Sequence, residues 1–445
     1  MIHFAEETPA TKLWDDMENI ASADPLAVIP DRKVSFTREQ SALAALIFFM
    51  MVMNYLDRQA LSVVAPMIRK ELGLSITDYA NAVNAFLVAY SLMYVGSGLV
   101  LDRIGYRLGL ALFVALWSIF SALHAAITGF GTLVLFRFLL GLAEPAGFTG
   151  AVKAIAEKFG TAQRALATGF LNMGAGLGSL IAPPLLVFLS LRYGWRTAFL
   201  VASVAGAIWT PLWLWIARPP ARDPKPTERN YSFRDNIRLV RDRRVLAYTL
   251  TRFVSDSAGY FVLFWLPEYL VSSKHFTFLM LGSLGWIPLI SKDAGALLGG
   301  YVSSKLVQSG LPPIFSRKIM MSIAAGFAVA GTLMGSGSAV WLVLFSLSMC
   351  TFAVGMWACN LHTICADAFP QPIVARVHGF AGSAGGIGGI VFNSLVGYFS
   401  GRQEYSAVLF MFALLLPFGV APLWLWLRDR SADRPFQEPQ IRAVA

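Results

Sequence analysis

Long apolar stretches alternate along the chain with short polar turns. They run at 42–66, 79–101, 108–128, 131–156, 165–190 and 196–216, and, after a polar interval, at 246–271, 279–306, 317–336, 340–366, 376–399 and 406–427. Each is about as long as a helix needs to be to cross a hydrocarbon core, where backbone groups must be satisfied within the protein. The pattern predicts an all-α membrane protein with twelve transmembrane helices. The interval between the two sixes carries Pro219, Pro220, Pro224 and Pro226, and predicts two six-helix bundles related by duplication. A weak internal match supports this. At an offset of 210, Gly169-Phe170 aligns with Gly379-Phe380, and Gly176 and Gly178 align with Gly386 and Gly388, each set in the fifth helix of its half. The expected organisation is a tail at 1–40, a bundle at 41–217, a linker at 218–245, a bundle at 246–428 and a tail at 429–445.

Composition agrees with that pattern. Of 445 residues, 56% are hydrophobic and 14% charged, against roughly 45–50% and 25% in a soluble domain. A soluble enzyme, a fibre and a disordered chain are thereby excluded. The net charge of +10 suggests nucleic acid at first sight, but its distribution argues otherwise. Nine bases stand in 218–244 against four acids, and further bases (Arg103, Arg107, Lys153, Lys158, Arg164, Lys305, Arg317, Lys318, Arg376) fall in the even-numbered turns. Lys and Arg gather in cytoplasmic loops, so the charge reads as an orientation signal that places both termini in the cytoplasm and predicts no nucleic-acid partner. The first 40 residues hold eight acids against four bases, with no basic start and no cleavage site, so they read as a tail and not a signal peptide.

Ionisable residues inside apolar helices are expensive, and by default they mark function. The first helix holds Asp57 and Arg58, with Asp57 nine residues before Pro66, about 13 Å from the outer end. The fourth holds Arg137 and Glu144. Seven residues turn a helix about 700°, so these two share a face about 10 Å apart. The spacing predicts two positive and two negative groups facing one cavity near mid-membrane. A structural ion-pair cluster is the competing reading, yet it leaves unexplained why four charges lie in lipid at all. As a site, an acid that takes up a proton frees an arginine to hold a substrate carboxylate. One proton also cancels the cost of bringing a monoanion into an inside-negative cell, about 2.3 kcal/mol per 100 mV.

Other polar positions are softer. Tyr55, Tyr90 and Asn172 read equally well as ligand contacts or packing. Arg252 and Asp256, four apart, read chiefly as a local pair, and Lys292-Asp293 is open between function and structure. Cys359, His362 and Cys365 share a three-residue spacing but have no fourth ligand, so no metal is expected. No nucleophile–base pair or nucleotide fingerprint is present, and no enzyme activity or cofactor is expected beyond protons as coupling ion.

The turn between the second and third helices reads Gly98-Leu-Val-Leu-Asp102-Arg103-Ile-Gly105-Tyr-Arg107, the G-x3-D-R-x-G-x-R pattern, and resembles the gating signature of the major facilitator superfamily. In the equivalent turn of the second half, Ser304 stands where an acid is expected. The resemblance extends to Asn54-Tyr-Leu-Asp57-Arg58, to Asn172 through Pro184, to Arg252-Phe-Val-Ser-Asp256, to Asp293 through Tyr301, and to Asn360 through Pro370. On these stretches the chain is similar to the anion:cation symporter family, most of all to bacterial hexuronate transporters. The resemblance implies a major facilitator fold, Asp57 and Glu144 as proton carriers, and Arg137 as their link to the substrate. It also implies Arg58 as the carboxylate anchor, with Tyr55, Tyr90, Asn172, Trp357 and Asn360 around a sugar acid. One departure stands out. Hexuronate transporters tend to carry a His-Gln pair just before the Trp of helix ten, where this chain has Ala353-Val354-Gly355-Met356-Trp357. That implies a less hydroxylated substrate unless His362 or Lys292 compensates.

The expectation is therefore a monomeric, multi-pass transporter of the cell inner membrane that imports an organic carboxylate by proton symport and alternating access. An exporter or exchanger of the same fold, and a sensor that binds the acid without moving it, stay open.

Overall fold

The computed structural model describes residues 36–217, 241–334, 339–369 and 371–427. The expected tails and nearly all of the expected linker lie outside the described residues. Those described form fourteen α-helices: α1 (Arg38–Leu72), α2 (Ile76–Leu123), α3 (Phe130–Ala143), α4 (Pro145–Lys158), α5 (Thr161–Tyr193), α6 (Arg196–Ile216), α7 (Arg243–Phe264), α8 (Leu266–Ser272), α9 (Phe278–Leu284), α10 (Ile287–Gln308), α11 (Pro313–Met334), α12 (Val340–Ala368), α13 (Gln371–Gly401) and α14 (Tyr405–Trp426).

These are the twelve predicted spans with different joints. The second and third run on as α2, which bends at Gly105, where φ is 76°. With ψ at 161° this is a region open essentially to glycine alone, and a side chain there costs on the order of 1–3 kcal/mol. Three other spans are each broken into two pieces, α3 with α4, α7 with α8, and α9 with α10. In each the second piece begins with a proline at its first or second position, Pro145, Pro267 or Pro288, whose missing N–H and ring interrupt the helical ladder. Helix ends overrun the apolar stretches: α1 starts at Arg38 and ends beyond Pro66 at Leu72, because the polar turns continue the helix. The tight turn at Gly73 leads into α2, whose start is fixed by a capping box between Ser75 and Asp78.

Nine stretches among the described residues are long and apolar enough to cross a membrane. Helices α7 and α10 are less apolar, since they carry Arg252 and Asp256, and Lys292 and Asp293. Apolar side chains instead cover the outside: Trp215 is 79% and Leu297 76% exposed, a surface suited to lipid and not to water. Helices α1–α6 pack with one another, as do α7–α14, and the two sets meet mainly where α2 crosses α13 and where α5 crosses α9. Small residues allow the closest approaches within a set. A Cβ on Gly178 of α5 would lie 2.6 Å from the Val52 carbonyl of α1, so the backbones touch there.

Candidate functional site

Between the two sets lies a cavity of ≈420 Å³. Its first wall presents Asn54, Tyr55 and Arg58 from α1, Tyr90 and Tyr94 from α2, Asn172 from α5, and Glu144. Its second presents Arg252 and Tyr260 from α7, His362 from α12 and His378 from α13.

Glu144 occupies the joint between α3 and α4. Its own amide still bonds to the Leu140 carbonyl, but Pro145 next to it has no N–H to give, and the helix restarts. The carboxylate faces Arg58 there: Nε donates to Oε2 at 2.8 Å and Nη2 stands 2.7 Å from the same oxygen. Nη2 also reaches Asn54 Oδ1 at 3.2 Å and the Tyr90 hydroxyl at 3.4 Å. The guanidinium lies over two rings, 5.2 Å from the Tyr55 centroid and 4.9 Å from that of Tyr90. A cation on the cavity wall is thus held by one carboxylate, one amide and two aromatic faces.

Asp57 and Arg137 do not share that wall, so the predicted ring of four charges around one cavity is divided. Each is 1% exposed, and neither lines the cavity. Successive residues on a helix diverge by about 100°, so Asp57 turns from the cavity as Arg58 turns toward it. Asp57 Oδ1 accepts the Ser121 hydroxyl at 2.5 Å, while Oδ2 meets no donor among the described residues. Arg137 lies over the Phe86 ring at 5.8 Å, with Nε and Nη2 bonded to none of the described residues. Both remain within electrostatic reach of Glu144. A cavity-facing ion pair, and behind it a buried acid and a buried base that form no ion pair with each other among the described residues, make two layers of one cluster.

The second wall holds chemistry that the sequence reading underweighted. Arg252 and Asp256 do form the expected local pair, at 2.8 Å from Nε and 2.7 Å from Nη2, and Arg252 faces the cavity. Arg252 Nη1 is 3.3 Å from His378 Nε2, and His378 Nδ1 is 3.2 Å from the Tyr248 hydroxyl. The His362 and His378 rings stand 5.2 Å apart. His378 was missed, as were Tyr94 and Tyr260. A signal for His378 existed, since it is an imidazole two residues inside the apolar stretch 376–399. Nothing in the sequence distinguishes the two tyrosines from packing residues.

Other singled-out residues lie elsewhere. Trp357 and Asn360 are buried off the cavity wall, Trp357 against the α14 position Gly419 and Asn360 bonded to its own helix at Met356 O. The segment 353–356 packs where α12 meets α10, with Gly355 against the backbone of Lys292, so its missing His-Gln pair does not change the cavity wall. Lys292 is likewise off the wall, and Asp293 lies against Gly176 of α5. His362 faces the cavity, whereas Cys359 contacts Gly300 and Cys365 the Val374 carbonyl. In the gating turn, Arg107 bonds the Ala217 and Leu214 carbonyls at the end of α6, and Lys153 the Leu101 carbonyl, while Arg103 is exposed. A Cβ on Gly98 would meet open space, so close helix approach is not its role in this conformation. The Asp102 side chain lies outside the described residues.

The cavity is sealed at the end of the 72–75 turn. Arg69 of α1 pairs with Glu268 of α8, which also accepts the Ser272 hydroxyl at 2.7 Å. The Tyr79 hydroxyl donates to the Phe264 carbonyl. Asn393 of α13 donates to Ala80 O and Asn84 Oδ1, and Asn84 donates to Ser394. At the opposite end the side-chain bonds among the described residues stay within one set, such as Gln40 with Lys158 and Gln163, or Arg317 with Asp367.

Residues 47–393 match the family model described as Major Facilitator Superfamily. Over 414 residues the chain is 27% identical to the hexuronate transporter of Escherichia coli (strain K12), covering 89% of this chain and 96% of that one. It is 33% identical over 328 residues to a protein of the same organism named "Probable L-galactonate transporter", 70% of this chain and 72% of the other. A Bacillus subtilis (strain 168) protein named "Probable galactarate/D-glucarate transporter" is 27% identical over 384 residues, 79% and 84%. Among solved structures, a bacterial homologue of the lysosomal transporter Spinster, in an inward-facing and unoccupied conformation, aligns with TM-score 0.71 at 17% identity, covering 89% of this chain and 99% of that chain.

Proposed function

Since the chain belongs to the Major Facilitator Superfamily, a family of membrane transporters and not enzymes, we propose that it carries a sugar acid across the membrane together with protons, by alternating access. The observation that carries the reading is the Arg58–Glu144 pair on the wall of a cavity sealed at one end. With Glu144 ionised, Arg58 is neutralised. Protonation of Glu144 releases a planar guanidinium that holds a carboxylate through two N–H groups. The hydroxyls of Tyr55, Tyr90, Tyr94 and Tyr260 and the amide of Asn172 then face the remaining substrate, a set suited to a polyhydroxylated chain. Asp57, bonded to Ser121 behind the pair, is the second proton carrier, and Arg137 couples the two acids. The names of the relatives favour hexuronates, aldonates and aldarates as substrates. Loop charge favours an inner-membrane orientation with the termini in the cytoplasm, and so a cavity open to the cytoplasm in this conformation.

Exchange of labelled glucuronate into proteoliposomes loaded with unlabelled glucuronate tests the reading. Saturable counterflow, competed by galactonate and galactarate and lost in Arg58→Ala, is the expected outcome. Saturable binding without counterflow instead identifies a sensor, and no response to any sugar acid contradicts the substrate class.

A further inference from the structure

The histidines of the second wall have no part in the mechanism above. Arginine can only donate hydrogen bonds, so in the 3.3 Å contact between Arg252 Nη1 and His378 Nε2 the imidazole nitrogen must accept. The ring proton therefore sits on Nδ1 and is given to the Tyr248 oxygen at 3.2 Å. His378 is neutral in this arrangement, and it occupies the one Arg252 nitrogen that Asp256 does not bind. Beside it His362 presents a ring to the cavity and bonds to none of the described residues. The groups around His378 are Tyr248, Arg252 and Asp256 of α7, His362 and Cys365 of α12, and Tyr94 of α2.

We infer that His378, Arg252 and His362 form a second carboxylate site, which takes the far end of a diacid whose first carboxylate is on Arg58. A proton that binds His378 Nε2 turns that nitrogen from acceptor to donor and breaks its bond to Arg252. Nη1–H and Nε2–H then lie side by side without a partner, and one carboxylate of the substrate accepts both, with His362 donating to it as a third group. An imidazolium beside a guanidinium is opposed by repulsion, and the incoming carboxylate removes that opposition. Diacid and proton therefore bind together, and a diacid brings one proton more than a monoacid does. The sugar-acid reading above is the premise.

Isothermal titration of the purified full chain, in buffers of different ionisation enthalpy, counts protons and measures affinity together. Glucuronate serves as the six-carbon monoacid and galactarate as the diacid. Wild-type protein takes up about one proton more with galactarate than with glucuronate. His378→Gln removes that difference and lowers the ratio of galactarate to glucuronate affinity about tenfold, the effect of one charge-assisted hydrogen bond. His362→Gln, at a ring that supports no described contact by hydrogen bonding, lowers the ratio as well. Equal proton counts for the two acids in the wild type, or a ratio that stands in both variants, overturns the diacid site and leaves the sugar-acid reading intact. Failure of the wild type to bind either acid overturns both.

Discussion

Arg58 is 8% exposed, its Nε and Nη2 meet oxygens and its guanidinium lies over two rings. Such a cation is tolerable in a membrane only while its partners stay in place. Lysine would keep the charge but offer a compact ammonium in place of the planar fork. Arg58→Lys is therefore expected to raise the KM for glucuronate by about tenfold to a hundredfold, the worth of one charged hydrogen bond of about 1.5–3 kcal/mol, with a smaller change in kcat. Initial-rate counterflow measures this, and an unchanged KM removes Arg58 from the carboxylate site. Tyr90 separates two roles in one side chain. Tyr90→Phe gives up a long 3.4 Å hydrogen bond but keeps the ring under the guanidinium, so it should cost little. Tyr90→Ala loses the ring and should weaken binding by about 0.5–2 kcal/mol, or up to thirtyfold in Kd.

At the scale of the helix, the glycines and prolines decide what the charges can do. Glu144 reaches Arg58 from the joint that Pro145 makes between α3 and α4. The α1–α5 contact depends on Gly178, where a side chain would run into the Val52 carbonyl and the Tyr55 Cβ. Gly178→Val must push α5 off the helix that carries Asp57 and Arg58. It is expected to destabilise the protein by about 1–3 kcal/mol, seen as a lower Tm in detergent. Gly98→Ala, where a Cβ meets open space, should leave Tm unchanged.

The same elements show how far the sequence could be read. Apolar length sufficed for twelve spans, because the bilayer imposes it on each span separately. The rule that charge is rare in lipid was enough to pick out Asp57, Arg58, Arg137 and Glu144. It could not sort them, since whether Asp57 faces the cavity or Ser121 is settled by the packing of α2 against α1. Trp357 and Asn360 came only from resemblance, and the local packing of α12 holds them away from the wall. The breaks at Trp265 and Trp286 leave no mark on the apolar pattern, which runs through them, and only Pro267 and Pro288 signal them.

At the scale of the whole molecule, the seal is one-sided. Arg69 of α1 and the fully buried Glu268 of α8 join the two sets at the 72–75 end, and Asn84, Asn393 and Ser394 add to it. Removing one partner of a buried pair leaves the other charge uncompensated, at a cost of about 3–5 kcal/mol, and opening that end to water relieves it. Arg69→Ala should therefore shift the population toward the form open at this end. Spin labels placed on the 72–75 and 273–277 turns would report a longer distance by pulsed electron resonance than in the unmutated protein. An unchanged distance distribution would mean that the pair does not latch the seal.

Coupling of the acid to protons is tested most directly in proteoliposomes with an imposed inward proton gradient and labelled glucuronate outside. The unmutated protein is predicted to concentrate glucuronate above its external level, and both Asp57→Asn and Glu144→Gln to lose that accumulation. Gradient-driven accumulation that survives in both variants, or its absence from the unmutated protein, would contradict proton symport through these two carboxylates.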